Sequence, residues 1–189
     1  KPAGLLTQSD HSGDESLFEH TGHWIKKKYN KQNNIFLGIV HRLDRNVSGI
    51  VLFARTSKAA SRLSKQFRNG TTKKYYRAII LGKLEKTSAI LVHYLRKEKS
   101  LKTTVFPRET PAAKRSELSY KVIDLFKKNS LIEITLSTGR FHQIRAQMAF
   151  IGHPIIGDVK YGARIPLAEQ EIALHANKLV FNHPISNEE

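Results

Sequence analysis

Leu131-Ile132-Glu133-Ile134-Thr135-Leu136-Ser137-Thr138-Gly139-Arg140-Phe141-His142-Gln143-Ile144-Arg145 is the stretch on which the fold turns. Its first half alternates. Ile132, Ile134 and Leu136 point one way, Glu133 and Thr135 the other, the two-residue period of a strand with one buried face. Thr138-Gly139 breaks that strand. From His142 to Ile151 the spacing suits a short helix, with Ile144, Met148 and Ile151 on one stripe and Gly152 behind it. A strand that hands over to a helix points backbone N–H groups outward at the junction, where anions are favoured. His142 and Arg145, three apart, are expected on one helical face. The junction reads either as a site or as a capped helix start with surface cations.

Working outward, Leu118 to Phe126, Ile90 to Leu95 and Tyr75 to Leu81 are strand-like, and Leu174 to Phe181 closes the chain with a last strand. Ser57 to Asn69 is predicted helical: Ser57 can cap, Leu63 and Phe67 lie four apart, and Gly70 can end it. Ser16 to Tyr29, with Leu17, Phe18, Trp24, Ile25 and a basic end, is a second helix. Ile35 to Val40 and Gly49 to Ala54 are short apolar strands, the latter apolar on both faces and expected to be buried. Many strands and few helices predict one α+β domain over residues 1–189, built on a mixed or antiparallel sheet. Lys1-Pro2-Ala3-Gly4 is turn-like, and domains seldom open on a turn, so residues before Lys1 are expected.

Charge narrows the function. Against 16 acidic residues stand 32 Lys+Arg, a net of +16. Such a surface attracts polyanions, because each neutralised phosphate releases counterions. Hydrophobic residues are 40% of the chain, a globular composition. No apolar run reaches the roughly 20 residues of a membrane helix, and no signal peptide is visible. Cysteine is absent and the nine histidines show no H-E-x-x-H spacing, so neither a metal nor a cofactor is expected. The expected location is cytoplasmic, with no membrane partner. Oligomeric state is not legible in the sequence, and a monomer is the default.

Two further stretches carry candidate chemistry. His41-Arg42-Leu43-Asp44-Arg45-Asn46-Val47-Ser48-Gly49 lies between two apolar segments. Arg42 and Arg45 flank Asp44 and should keep it ionised, and an ionised, positioned carboxylate can be a nucleophile. The competing reading is a salt-bridged loop that only anchors two strands. Lys73-Lys74-Tyr75-Tyr76-Arg77-Ala78 interleaves cations and aromatics, which suits phosphate contact and base stacking; one tyrosine of the pair should face inward.

Together these motifs resemble a known family. His41-Arg42-Leu43-Asp44 with Ser48-Gly49 is similar to the H-R-L-D-x-x-T-S-G signature of RluA-type pseudouridine synthases. Lys74 to Ala78 resembles its K-x-Y-x-A element, and Thr138 to Arg145 its T-G-R-x-H-Q-I-R. Gly152 to Asp158 resembles G-x-P-I-x-G-D, Leu174-His175-Ala176 the closing L-H-A, and Lys1 to Gly4 the opening K-P-x-G. The match runs in order along nearly the whole chain. Val47 stands where Thr is usual, and Gln147 where His often follows.

The resemblance implies a bent, mostly antiparallel sheet with flanking helices, and cofactor-free isomerisation of uridine to pseudouridine in RNA. It implies Asp44 as nucleophile, Arg145 paired with it and Tyr76 stacked on the flipped uracil. Arg42, Lys74, Arg140, His142 and Ile144 are the expected substrate-binding residues. Ribosomal RNA is the expected partner, with transfer RNA the alternative. Two rivals remain. A non-catalytic RNA-binding protein would explain the charge but give Asp44 no task. A nuclease would gather carboxylates around metal ions, and no such cluster is visible.

Overall fold

The computed structural model describes residues 1–168, 171–186 and 188–189. Helix α1 covers Leu17–Lys28 and α2 Ser57–Asn69. Strands β1 (Gly38–Ile39), β2 (Ser48–Gly49) and β3 (Phe53–Ala54) are short. The long ones are β4 (Lys73–Leu81), β5 (Ser88–Lys97), β7 (Lys114–Phe126) and β8 (Asn129–Leu136). Strand β6 (Thr103–Phe106), helix α3 (Gln143–Phe150) and strand β9 (Leu174–Val180) complete the set.

Seven strands form one sheet in the order β2-β9-β4-β8-β7-β5-β6. The β2–β9 pair is parallel, and the remaining pairs are antiparallel. This is the α+β architecture with a mostly antiparallel sheet that the sequence predicts. One face of the sheet is covered. Ile132, Ile134 and Leu136 of β8 are buried as their alternation requires, together with Ala78 and Ile80 of β4 and Ile144 and Met148 of α3. Six successive residues of α3, Gln143 to Met148, are buried. So α3 acts as the plug of the core rather than as a surface helix.

Several expectations are corrected. Gly49–Ala54 is not one buried strand: the chain pairs at β2, leaves Ile50 46% exposed, and pairs again at β3. Of Ile35–Val40 only Gly38–Ile39 pairs, with β3. The cap of α2 is Thr56, not Ser57; its hydroxyl accepts the Ala59 N–H. Strand β6 went unpredicted because Thr103–Phe106 is short and sits beside charged residues. The α1 start is held by a capping box in which Ser16 and Glu19 exchange bonds. Among the described residues no helix is long and apolar enough to cross a membrane.

Gly49 shows why the loop after Asp44 reads Ser-Gly. Its φ is +129, and a Cβ there would run into the Ala176 backbone. Only glycine permits both the conformation and the close approach.

Candidate active site

The loop that carries Asp44 is fixed from the N-terminal segment. Thr7 Oγ1 donates to the Leu43 carbonyl (2.9 Å) and accepts the Leu43 N–H (3.2 Å). Gly4 N–H donates to the Arg45 carbonyl (2.9 Å), and Lys1 Nζ donates to the same carbonyl (3.0 Å). Val47 N–H closes the turn onto the Asp44 carbonyl (3.1 Å). The opening K-P-A-G segment is thus the outer wall of the Asp44 loop. Behind the loop, His41 stacks on Phe67 and its Nε2 accepts the Leu52 N–H. Burial, and secondarily Lys74, takes His41 down to about 4, so it stays a neutral acceptor.

Asp44 does not lean on its neighbours in sequence. Arg45 turns away to Asp14 (2.7 Å) and to the Gly4 carbonyl. Arg42 is exposed and forms no ion pair among the described residues. The cation in contact with Asp44 comes from 101 residues later: Arg145 Nη1 lies 3.2 Å from Oδ2. His142 Nε2 is 3.6 Å from the same oxygen. Oδ1 accepts nothing from the described residues. Burial raises the Asp44 pKa above its ordinary 3.8, and Arg145 and then Lys1 work against that rise. The carboxylate is therefore poorly hydrated and aimed by one guanidinium.

Arg145 is itself clamped. Its Nε donates to Asp158 Oδ2 (2.7 Å) and its Nη2 to Asp158 Oδ1 (2.9 Å), a two-pronged pair with both partners almost fully buried. Tyr161 lies against the guanidinium, 5.1 Å from its ring centre. Asp158 and Tyr161 were not expected in the site. Asp158 stood at the end of the quoted G-x-P-I-x-G-D stretch, and its signal was a single acid in an apolar, glycine-bounded segment.

His142 is not on the helix. It precedes α3 with φ +51, in the left-handed region, yet its ring reaches the same carboxylate as Arg145. Tyr161 Oη accepts the Thr103 N–H (2.8 Å) and is hydrogen-bonded to His142 Nδ1 at 2.9 Å. With the phenol proton directed to Nδ1, the ring carries its own proton on Nε2, the side facing Asp44. Burial, then the charges of Arg145 and Lys160, hold His142 down at about 3. It is a neutral donor, not a general base. Gln143 ties the junction together: its Oε1 accepts from Thr138 Oγ1 (2.8 Å) and the Arg140 N–H (2.9 Å), and its Nε2 donates to the Glu117 carbonyl.

Strand β4 supplies the remaining wall. Tyr76 lies on the same face as Ala78 and Ile80 and packs against the core, whereas Tyr75 is on the other face under Lys178. Burial, with Asp44 adding its charge, pushes the Tyr76 hydroxyl up to about 12, so it stays protonated beside an apolar ring. A register shift between Tyr75 and Tyr76 against β9 marks a bulge at the site, a device that re-aims side chains. Lys74, on the Tyr76 face, is half-buried and has its pKa lowered by burial and then by Arg140. Ile144 is in the core cluster with Leu43. Arg140 is exposed and donates to the Arg115 carbonyl. Gln147 is buried away from the site, donating toward Leu91 and His93, and Val47 is a core residue. No group of three or more His, Asp or Glu side chains among the described residues is placed to hold a metal ion.

The geometry sets the pH response. With Asp44 as the reacting carboxylate, the single-turnover rate is expected to show an acid limb centred above 3.8, because desolvation raises its pKa. No histidine limb is expected between about pH 5 and 8, because His142 stays neutral there. The linkage sign follows. Asp44 adds stability below its unfolded pKa, and that contribution is lost as pH rises through its raised folded value. A rate profile with a second limb near neutrality would contradict this picture of His142.

Arg145 is thus shared between Asp44 and the buried Asp158 at the strand–helix junction, and the neighbouring strand turns Tyr76 to the same covered face of the sheet. The family description RNA pseudouridylate synthase matches residues 1–150, and the chain belongs to that family. It is 37% identical over 159 residues to ribosomal large subunit pseudouridine synthase C of Vibrio parahaemolyticus, covering 81% of this chain and 50% of the relative. It is 35% identical over 165 residues to ribosomal large subunit pseudouridine synthase D of Vibrio cholerae, covering 80% and 50%. The chain thus spans about half the length of the curated relatives it matches. Among solved structures, Human RNA Pseudouridylate Synthase Domain Containing 4 superposes with TM-score 0.79 at 20% identity, covering 95% of this chain and 78% of the other. That likeness concerns the fold alone.

Proposed function

We propose that residues 1–189 form a catalytic domain that isomerises uridine to pseudouridine within a structured RNA, ribosomal RNA ahead of transfer RNA, with Asp44 as the nucleophile. The observation that carries this reading is the Asp44–Arg145–Asp158 chain. A carboxylate with one oxygen that accepts nothing among the described residues is aimed by a guanidinium that is itself locked from behind. In the reaction the C1′–N1 bond breaks, the uracil turns, C5 bonds to C1′, the C5 hydrogen leaves as a proton and N1 takes up a proton. A paired or stacked uridine is out of reach of a recessed carboxylate, so the base is flipped in. Tyr76 stacks on it, Ile144 contributes apolar packing behind the pocket, and His142 offers a neutral N–H beside Asp44. Lys74, Arg140 and Arg42 serve the RNA backbone. Family membership and the kinship with large-subunit ribosomal RNA enzymes support the substrate class.

The experiment is tritium release from RNA labelled at uridine C5, run beside RNA binding. Turnover is expected without added metal or cofactor. If about six phosphates of single-stranded character are neutralised, log K falls with a slope near −4 against log salt. Tight, salt-sensitive binding with no tritium release from total RNA would favour a non-catalytic RNA-binding protein instead.

A further inference from the structure

The catalytic cleft leaves unexplained a second surface, at the C-terminal end of α1. Trp24 is 55% exposed there and Tyr29 42%, although their neighbour Ile25 is buried. Lys28 Nζ sits 4.5 Å from the Trp24 ring centre, and the Arg55 guanidinium 4.3 Å from that of Tyr29. Lys26 and Lys27 stand beside them. None of Lys26, Lys27, Lys28 and Arg55 forms an ion pair among the described residues, and the helix's one first-turn acid, Glu19, is consumed in the capping box. Lysines in a last turn suit the helix dipole on their own. The dipole gives no reason for an open indole and an open phenol between them.

The surface extends beyond those rings. Leu17, Thr21, Trp24 and Lys28 are spaced four, three and four apart and so share one helical face. Leu17 and Thr21 line a groove completed by Ile50, Val51, Phe53 and His175. That groove therefore leads along α1 to Trp24. It lies on the other side of the sheet from the catalytic tyrosine: His175 pairs with Arg77 in register, and Ala176, one residue on, with Tyr76. Unpaired cations around an exposed aromatic pair match the chemistry of single-stranded nucleic acid, whose backbone needs charge and whose bases need a flat apolar partner.

We propose that Trp24, with Lys28, Tyr29 and Arg55, is a second RNA contact, outside the catalytic cleft, on which an unpaired base of the substrate RNA stacks. The inference rests on the reading of this chain as an RNA enzyme, but its test does not depend on turnover. Trp24 is the chain's one tryptophan, so emission excited at the red edge of indole absorption, where the six tyrosines do not absorb, reports this surface.

The experiment titrates the whole protein with a 12-nucleotide oligouridylate, a 12-base-pair RNA duplex and polyglutamate, with anisotropy of labelled oligonucleotide to measure binding independently. The oligouridylate is expected to quench Trp24 emission in step with binding, and the duplex to quench it far less. Trp24→Ala should weaken oligouridylate binding by about tenfold, and Trp24→Phe should restore most of it. Binding without any change in emission would overturn the proposal, as would equal affinity of the Trp24→Ala protein. Equal quenching by the duplex would exclude base stacking, and equal quenching by polyglutamate would point to an acidic protein partner instead. Quenching that persists in Asp44→Asn protein, beside absent tritium release in the unmutated protein, would sink the proposed activity and leave this surface standing.

Discussion

Asp44→Asn is expected to abolish turnover while leaving a folded protein that binds RNA. The substitution keeps the side chain's shape and removes its charge, so nothing remains to attack or to take a proton. The single-turnover rate should fall by at least about 10³-fold, the scale seen when a group no neighbour can replace is lost. Stability should move by no more than about 1–2 kcal/mol. Two effects oppose one another here. Burial raises the Asp44 pKa, so its charged form is costly in the folded state, and removing the charge relieves that cost. Arg145 loses one of its acceptors but keeps both oxygens of Asp158. Tritium release and thermal melting on the same preparation check both halves. Near-normal pseudouridine formation by the variant would remove Asp44 from the chemistry.

Arg145→Met should injure both catalysis and folding, and the structure says why the second injury is large. Asp158 is 1% exposed and its two oxygens are taken up by Arg145. Deleting the guanidinium strands a buried carboxylate, a loss of about 3–5 kcal/mol. The rate on the folded fraction should drop by at least about 100-fold, as for removal of one preorganised electrostatic group. Pairing the change with Asp158→Asn separates the two effects. The double variant should recover much of the melting temperature and none of the rate, because Asp44 still lacks its partner. Single-turnover rates at saturating RNA and binding constants on the same RNA decide the matter. A weaker complex with an unchanged saturated rate would make Arg145 a phosphate contact, and a double variant no more stable than the single one would deny the Asp158 clamp its structural weight.

Both predictions rest on a contact that sequence spacing could only suggest. The alternation of Leu131–Leu136, the helical spacing from Ser57 to Asn69 and the apolar residues and basic end of α1 were legible because each is a local pattern fixed by backbone period and end chemistry. The +16 charge was equally legible, since net charge needs no fold. The motifs placed Asp44, Tyr76, His142 and Arg145 in one site through resemblance; the fold sets Arg145 and His142 beside the Asp44 carboxylate and Tyr76 within reach of its charge. The tertiary structure decided how they are held. Local reasoning gave Asp44 its flanking arginines as partners, but backbone direction sends Arg45 to Asp14 and Arg42 to solvent, while the sheet and α3 deliver Arg145 across 101 residues. It put His142 on a helix face, whereas a left-handed residue before α3 aims the ring, and Tyr161 and burial settle its charge. Asp158 is where the sequence says least, because a lone buried acid shows its function only through the partner opposite it. Pattern along the chain determines the elements of this protein; the pairing of charges out of water is decided only by their packing, since desolvation and distance exist only in the folded state.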